Sequence, residues 1–438
     1  MPNTIDTYGD AAVMAALLTR NFSGVGYEFE DDTLTTLKNY AFAGVTDLQR
    51  LSLPNLTSIS TCCFYGTQVS GTVTLPWNRI TLIGAAAFFE GNVMKQSSLT
   101  MPALTQIGMG CFAGQQGLIS FSGPVLESIY SGTAPFSQLP GVFEDSGLQT
   151  FSAPNFKDSN FSRKMFKNCA SLTSVNMPKQ TSVAESMFEG CSSLMSISLP
   201  EAIYCMGNYG FRGCTALTSV SLPNVSYVTG NNEFEGCTAL ETISLPEAQG
   251  TMGYYFFAYC SNLRTVSLPK MVSLPTSCFR ECTSLTFAGL NIPNVTTLSA
   301  ACFQGCTALT TFTSDKITSI SSSCFYECSN LEEVSLSKVT AIPQNCFYNC
   351  AKLKKITLGG DVTSFGATAF RYCRLLDTVI LSGVTAVPTI ASTTFQSATL
   401  ITNRTGVIYV PDSLVASFQA HSTWGAYNVK GMSEYPAS

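Results

Sequence analysis

The chain has 438 residues, which at roughly 150 residues a domain suggests about three domains. Only 12% of the residues are charged, about half of the usual ~25%, while 45% are hydrophobic and the mean hydropathy is +0.21. This composition excludes a disordered chain, and 23 basic against 28 acidic residues exclude a nucleic-acid partner held by bulk positive charge. With 18 cysteines but a single histidine, His421, the chain has little capacity for histidine-based catalysis or histidine-rich metal sites.

The N-terminal segment contains the longest aliphatic run, Ala11–Leu18, which is far shorter than the about 20 residues that cross a bilayer. Asp6 and Asp10 precede this run, at the place where a secretory signal peptide carries basic residues. We therefore predict no membrane insertion, and no leader or anchor in this chain. Asp10–Arg20 is predicted to form a short amphipathic helix that either caps the first repeat or serves for docking or oligomerisation.

A phenylalanine recurs along the rest of the chain at a mean spacing of about 23.5 residues, the signature of a repeat architecture. The anchors are Phe42, Phe64, Phe88, Phe112, Phe143, Phe166, Phe188, Phe211, Phe234, Phe257, Phe279, Phe303, Phe325, Phe347, Phe370 and Phe395. A single repeat cannot bury its apolar face alone. Stacked repeats therefore share a continuous core and count as one domain. We predict an N-terminal helix and cap at 1–32, a solenoid at 33–400 and a C-terminal cap at 401–438.

The sequence of each repeat predicts a strand, a turn and a second apolar segment. In Leu217–Pro223 the alternation of a strand places Leu217, Val220 and Leu222 inside, with Ser219 and Ser221 outside. The proline ends the strand, and a second short apolar segment, Val225–Val228, follows. A brief helical turn is then predicted to carry the phenylalanine and a cysteine.

This repeat resembles that of the BspA-like leucine-rich repeat family. The match is carried in one unit by Phe211, Cys214, Leu217, Val220, Leu222 and Pro223, and at the tail by Val407–Leu414, Phe418, Trp424 and Tyr427. The predicted fold is an α/β solenoid, a right-handed arc of about 16 repeats of ~23 residues. Parallel strands are expected on its concave face and short helical turns on the other side.

The resemblance also implies a class of function. Members of the family are mostly surface proteins of bacteria or protists that bind host matrix proteins or neighbouring cells, and related repeats occur in phage tail regions. We therefore expect an adhesion or recognition protein that binds a protein or glycan ligand, located outside the cell, on its surface or on a virion. The alternative is a phage or prophage tail-associated protein, which the predicted lack of a leader favours. A third possibility is a structural spacer.

The cysteines fall into two columns of the repeat. Ten lie three residues after the anchor phenylalanine and six lie directly before it; Cys62 and Cys205 fall outside both columns. Zinc binding or a series of disulfides would explain paired cysteines. A small, weakly polar side chain in a tight turn explains a spacing that follows the repeat period, and this interpretation is favoured.

Catalytic motifs are missing from the sequence: it has no G-x-S-x-G, no phosphate-binding G-x-x-x-x-G-K-[ST] and no H-E-x-x-H. His421 is interpreted as a capping or surface residue. The pairs Asp31–Asp32 and Glu332–Glu333 are interpreted as solvated charge rather than cation ligands, because the D-x-D-x-D-G pattern is lacking. We predict no enzymatic activity, no cofactor and no metal.

Candidate ligand-binding residues come from two features. The first is the outward strand face, which is rich in hydroxyl groups; it includes Ser219, Ser221, Thr242, Ser244, Thr265 and Ser267. The second is a pair of irregular units. In one, the 31-residue interval from Phe112 to Phe143 predicts a loop over Tyr130–Val142, with the candidates Tyr130 and Phe136; in the other, Trp77–Gln96, the candidates are Trp77, Arg79 and Phe89. A decayed repeat would explain both irregularities equally well.

Overall fold

The computed structural model describes residues 27–46, 48–130, 139–158 and 162–436. The chain divides into two compact units, Met1–Leu222 and Pro223–Ser438, and each contains stacked parallel strands. Thus the chain is a parallel-strand β-solenoid, as the repeat predicts. The predicted helix at Asp10–Arg20 lies outside the described residues. Within the described part of the chain, no helix is long and apolar enough to cross a membrane.

The first unit has two columns of strands. The main column comprises Tyr27–Glu30, Leu48–Ser52, Val69–Thr74, Ser98–Thr100, Ser120–Ser122, Thr150–Ser152, Ser174–Asn176, Ser196–Ser198 and Ser219–Ser221. The second column comprises Thr36–Leu37, Ser58–Ile59, Leu82–Ile83, Gln106–Gly108, Ser128–Tyr130, Ser182–Val183 and Tyr204–Cys205. Every pairing between these strands is parallel, and each strand pairs within its own column.

The second unit repeats this arrangement. Its main column comprises Thr242–Ser244, Thr265–Ser267, Leu290–Asn291, Thr311–Ser314, Glu333–Leu336, Lys355–Leu358, Thr378–Leu381, Val407–Val410 and Val429–Gly431. Its second column comprises Ser273–Leu274, Thr297–Leu298, Ser319–Ile320, Ala341–Ile342, Ser364–Phe365 and Thr389–Ile390. The described helices are short: Thr399–Thr402 and Val415–Ala420 are α-helical, and Phe287–Gly289, Asp412–Leu414, Trp424–Ala426 and Met432–Glu434 are 3-10.

The strand interpretation of the repeat is confirmed in detail. Leu217 and Leu222 are buried, Val220 is half-buried, and Ser219 and Ser221 are exposed. The second apolar segment also points inward, because both Val225 and Val228 are fully buried. Side chains therefore alternate between the core and solvent as a strand requires.

The phenylalanine segments are hydrogen-bonded turns rather than helices in the described residues, so the predicted helical turns are not confirmed there. Phe325 is flanked two residues away on each side by Ser323 (φ 57°) and Glu327 (φ 58°), both left-handed. Three amides of this turn then donate to the next turn: Ser323 to Gln344 O at 3.1 Å, Phe325 to Cys346 O at 2.9 Å and Glu327 to Tyr348 O at 2.8 Å. The intervening amides bond within the turn, Tyr326 to Ser323 O at 3.0 Å and Cys328 to Phe325 O at 3.2 Å. Local and inter-turn hydrogen bonds therefore alternate along the segment. The arc and its concave face stay predictions.

The anchor phenylalanines form a stack inside each unit. From Phe42 to Phe211, successive ring centroids are 5.1–5.8 Å apart and the ring planes differ by 5–23°. From Phe234 to Phe395, the separations are 5.1–5.6 Å and the angles 3–19°. Offset stacking at this separation matches the spacing of parallel strands, so one ring per turn fills the core without a gap.

The C-terminal segment closes over the last strands of the second unit. Trp424 is fully buried, and its Nε1 donates to Pro388 O at 2.8 Å. Its ring lies edge-on to Phe365 and Phe418, at centroid distances of 5.2 and 5.3 Å. The predicted boundary of this cap at residue 401 stays a prediction.

Candidate ligand-binding surface

The outward face of the main column carries the predicted hydroxyl groups in register. In the first unit, Ser196 and Ser198 align with Ser219 and Ser221, and all four are exposed. In the second unit, Thr242 aligns with Thr265, and Ser244 aligns with Ser267. The intervening Ile243 and Val266 are buried. Hence the side chains that this face presents at these strands are neutral donors and acceptors.

Some of these outward groups hydrogen-bond across the strands. Ser120 Oγ and Ser98 Oγ are 2.6 Å apart in the first unit. Asn291 Nδ2 donates to Ser267 Oγ at 2.9 Å in the second. These contacts align neighbouring side chains and fix their rotamers, which reduces the entropy that a bound ligand has to remove.

The C-terminal end of this face is covered by the chain itself. The Tyr435 ring lies edge-on to Tyr409, with centroids 4.9 Å apart, and Lys355 Nζ lies 5.9 Å from the Tyr435 centroid. Ile380, at an outward strand position, is only 5% exposed. The open hydroxyl surface of the second unit therefore lies N-terminal to these strands.

The irregular zone at Trp77–Gln96 spreads its candidate residues over separate elements. Trp77 is half-buried and packs on the core ring of Phe88, at a centroid distance of 5.6 Å. Arg79 is exposed and donates to Asn55 Oδ1 at 2.7 Å. Phe89 lies on a phenylalanine turn, 5.9 Å from the Tyr65 ring. In the described structure no ring contact, cation–π contact or hydrogen bond joins these three candidates, which instead contact Phe88, Asn55 and Tyr65.

The second irregular zone is described only at its edges. Tyr130 ends a strand of the second column and is half-buried. Residues 131–138 of the predicted loop, and with them the candidate Phe136, lie outside the described residues. The phenylalanine stack continues past the insertion, because Phe112 and Phe143 are 5.6 Å apart. The extra residues are therefore accommodated without interrupting the core.

The first cysteine column has a structural role that the spacing did not reveal. In nine turns the thiol donates to the carbonyl oxygen of the anchor phenylalanine one repeat earlier, at 2.9–3.1 Å. Cys328 Sγ, for example, lies 3.0 Å from Phe303 O. Thr67 and Gln115 occupy the same position of the repeat and donate to the equivalent carbonyls of Phe42 and Phe88. The position therefore holds a side-chain hydrogen-bond donor, and cysteine is the usual one.

The environment of the thiols supports this interpretation over metal binding. Burial raises the pKa of the Cys260 thiol to about 12 and that of Cys169 to about 11. A zinc ligand or nucleophile is the thiolate, which such burial disfavours. The cysteines are thiols in the structure, and Cys62 is half-buried whereas the others are buried. The described residues contain no group of His, Cys, Asp and Glu that could hold a metal ion.

The remaining ionisable candidates have local structural roles. His421 Nδ1 accepts from the amides of Thr423 and Trp424, at 3.1 and 3.3 Å. Asp31 accepts from Thr33 and Leu34, and these hydrogen bonds outweigh the effect of burial and lower its pKa.

Glu332 is also engaged locally. It lies 2.7 Å from Lys354 Nζ, and the hydrogen bond from Lys354 lowers the pKa of this carboxyl. These contacts agree with the interpretation of the acidic pairs as surface charge.

One set of outward residues, on the phenylalanine turns of the second unit, was not among the candidates predicted from the sequence. Tyr326 and Tyr348 follow the anchors Phe325 and Phe347 directly, and their rings stack 4.7 Å apart. Arg371 follows Phe370 in the next turn. An alignment of the repeats would have identified them, because Tyr326, Tyr348 and Arg371 occupy the same repeat position, directly after the anchor phenylalanine.

Comparison with known proteins identifies the family. The model of the BspA type leucine rich repeat region matches residues 27–138, 159–286 and 278–402. No curated protein sequence matches the chain. A leucine-rich repeat protein from Bacteroides ovatus is similar at 20% identity, over 91% of this chain and 88% of that one, with a TM-score of 0.46.

Two further solved structures are similar over most of their length. The pneumococcal vaccine antigen PcpA is 14% identical, over 93% of this chain and 95% of that one, with a TM-score of 0.43. A leucine rich cell surface protein from Faecalibacterium prausnitzii is 18% identical, over 93% and 92%, with a TM-score of 0.32. The repeat match covers most of the chain and agrees with the stacked parallel strands. The chain therefore belongs to the BspA-type leucine-rich repeat family.

Proposed function

We propose that this chain is a non-enzymatic recognition protein that binds a protein or glycan ligand through the hydroxyl-lined face of its main strand column. The observation that carries the proposal is the register of outward hydroxyl pairs, such as Thr242 with Thr265 and Ser244 with Ser267. Repeat solenoids use extended surfaces of this kind for binding. The absence of catalytic motifs from the sequence supports a binding role.

The chemistry of the face favours a neutral, hydrogen-bonding ligand. Each hydroxyl both donates and accepts, and parallel strands space these groups about 4.8 Å apart. A sugar chain or an extended polypeptide offers donors and acceptors at comparable intervals. Because the face has few charges at these strands, association lacks electrostatic steering, and salt is expected to change the affinity little.

The family resemblance supports a location outside the cell. BspA-like proteins are mostly exposed at cell surfaces, so we place the ligand outside the cell or on a host surface. A role in a phage tail stays a prediction, which the genes next to the coding sequence would test.

The test is a glycan array together with binding to host cells, using the full chain. The variant T242A/S244A/T265A/S267A removes four outward hydroxyls and is expected to lose most of the binding. The matched control T296V/T318V removes hydroxyls that donate to backbone carbonyls of the second column, Thr296 to Val272 O and Thr318 to Thr296 O. The control is expected to bind normally. Equal binding by the first variant and the wild type would refute the proposed face, and the wild type binding nothing would favour the spacer.

A further inference from the structure

The second unit carries a cluster of exposed and half-buried side chains on its phenylalanine turns, away from the strand face. We name it the Tyr–Arg row; it consists of Tyr326, Tyr348, Arg371, Tyr372, Arg374 and Leu375. Its first three members follow consecutive anchors of the phenylalanine stack directly. The backbone of the row is fixed, because Glu327 donates to Tyr348 O and Asn349 donates to Arg371 O, both at 2.8 Å.

The rings and guanidinium groups of the row pack on each other. Tyr326 and Tyr348 are parallel to within 4°, and Tyr348 meets Tyr372 edge-on at 5.4 Å. The guanidinium carbon of Arg371 lies 4.8 Å from the Tyr372 centroid and 5.9 Å from that of Tyr348. Arg371 Nη2 also donates to Tyr372 Oη at 3.0 Å. Arg374 lies over the same ring at 5.8 Å.

The positive charge of the row is not neutralised locally. In the described structure, no carboxylate forms an ion pair with Arg371 or Arg374. Glu327 lies beside Tyr326, at the opposite end of the row. Leu375, next to Arg374, is 45% exposed, which is unusual for an aliphatic side chain of the repeat.

Three corresponding turns of the first unit join their charges in salt bridges. There Glu189 lies 3.2 Å from Lys167 Nζ and 3.6 Å from the Arg212 guanidinium. These three residues also follow their anchors directly, so the position in the repeat is the same. The difference between the units is therefore one of side chains on an equivalent backbone.

The row has the composition of a protein-binding hot spot. Tyrosine and arginine are enriched where binding energy concentrates, and cation–π packing fixes the arginines before a partner arrives. Two arginines that lack carboxylate partners complement an acidic partner. The stacked faces of Tyr326 and Tyr348 cover each other, which leaves less ring face for a sugar to stack on. We propose that the Tyr–Arg row is a docking site for an acidic polypeptide segment of another protein.

This inference is independent of the hydroxyl face, and the experiment uses the full chain. A displayed library of short random peptides is selected on the wild type, and the enriched peptides are titrated by fluorescence anisotropy. We expect enrichment of Asp and Glu, binding that weakens as salt rises, and about tenfold lower affinity for R371Q/R374Q. The control R212Q alters an arginine at the same repeat position that already pairs with Glu189, and it is expected to bind normally.

Three results would overturn the inference. Enriched peptides could lack acidic residues, or acidic peptides could bind R371Q/R374Q as well as the wild type. Alternatively, hyaluronan fragments, which present carboxylates on sugars, could bind the wild type more tightly than every peptide and lose affinity in R371Q/R374Q. Urea unfolding of the variants checks that both remain folded. Because the hydroxyl-face variant leaves the row intact, failure here is distinguishable from failure of the proposed function.

Discussion

The phenylalanine turns of the two units are alike inside and different outside. Inside, both units stack one phenylalanine per turn, and most turns place a donor three residues later against the preceding turn. Outside, the first unit pairs Lys167 and Arg212 with Glu189. The second unit carries the Tyr–Arg row, whose arginines pack on tyrosine rings and form no ion pair in the described structure. Packing and backbone hydrogen bonds dictate the interior, while the outward residue after the anchor is free to vary. Recognition can therefore differ along one solenoid while its core stays constant.

Deprotonation of the buried cysteine thiols at high pH is expected to have the largest effect on the free energy of unfolding. Burial raises the pKa of Cys63 and Cys260 to about 12, above the ordinary value of 9.0. A raised folded-state pKa gives stability that is complete below the unfolded pKa and is lost as the pH rises toward the folded value. The free energy of unfolding should therefore fall between about pH 9 and pH 12, and each of these two thiols should contribute about 1.4 kcal/mol per pH unit.

Urea midpoints measured across this pH range check that prediction. C260S removes one buried thiol and should make the fall less steep, whereas C62S alters the half-buried cysteine and should change it less. A midpoint that does not change up to pH 11 would contradict the burial of the thiols.

Truncation of one ring in the phenylalanine stack is expected to have the next largest effect on stability. Phe325 is fully buried between Phe303 and Phe347, with centroid distances of 5.6 and 5.2 Å. F325A should cost about 3–5 kcal/mol through lost burial and a cavity. The matched control Y326A truncates the adjacent outward ring and should cost about 1 kcal/mol. If F325A and Y326A lowered the urea midpoint equally, the buried phenylalanine stack would contribute no more to stability than the outward rings.

Replacing a thiol donor tests the role assigned to the first cysteine column. C328A leaves the carbonyl of Phe303 without the side-chain donor that the thiol provides, at a cost of about 1 kcal/mol. C328S keeps a donor, as Thr67 does at the same position, and should lose less. Urea unfolding near neutral pH measures both, and a more stable C328A than C328S would show that apolar packing outweighs the hydrogen bond.

Substitutions at left-handed turn positions should change the stability by about 1 kcal/mol or less, with opposite signs for a glycine and a non-glycine position. Gly114 has φ +72° with open space where a Cβ would lie, so G114A adds only backbone strain, about 1 kcal/mol. Glu327 adopts φ 58° without being glycine, so E327G should be neutral or stabilising by about 0.5 kcal/mol. Thermal unfolding of both variants checks the sign. A destabilised E327G would mean that its side chain contributes more than its backbone strain costs.

The sequence was sufficient to predict the repeat and the strand, because Leu217 and Leu222 alternate with Ser219 and Ser221 at a period of two. It did not predict the turn, because left-handed positions are occupied by residues such as Glu327 and Tyr372 as well as by glycine. Hydrogen bonds to the next turn hold those positions in place, and such contacts span a whole repeat.

The same limit applies to the candidate surfaces. The sequence predicts Trp77 as a candidate ligand-binding residue, and only the fold shows that it packs on Phe88. The Tyr–Arg row is spread over three repeats of sequence and becomes a cluster only when the turns stack in register. The alternation of apolar and polar residues was sufficient to identify the hydroxyl face, because a period of two assigns each strand residue to one side of the sheet.

The most direct test of a structural, chemically inert interior is mass spectrometry of the native protein after alkylation without reductant. Cys62 is the half-buried cysteine, and the others are buried. The account predicts rapid modification of Cys62 alone in the folded chain, and modification of all 18 cysteines after unfolding in urea. Several buried cysteines that react at the same rate as Cys62, or that are recovered as linked pairs, would contradict it.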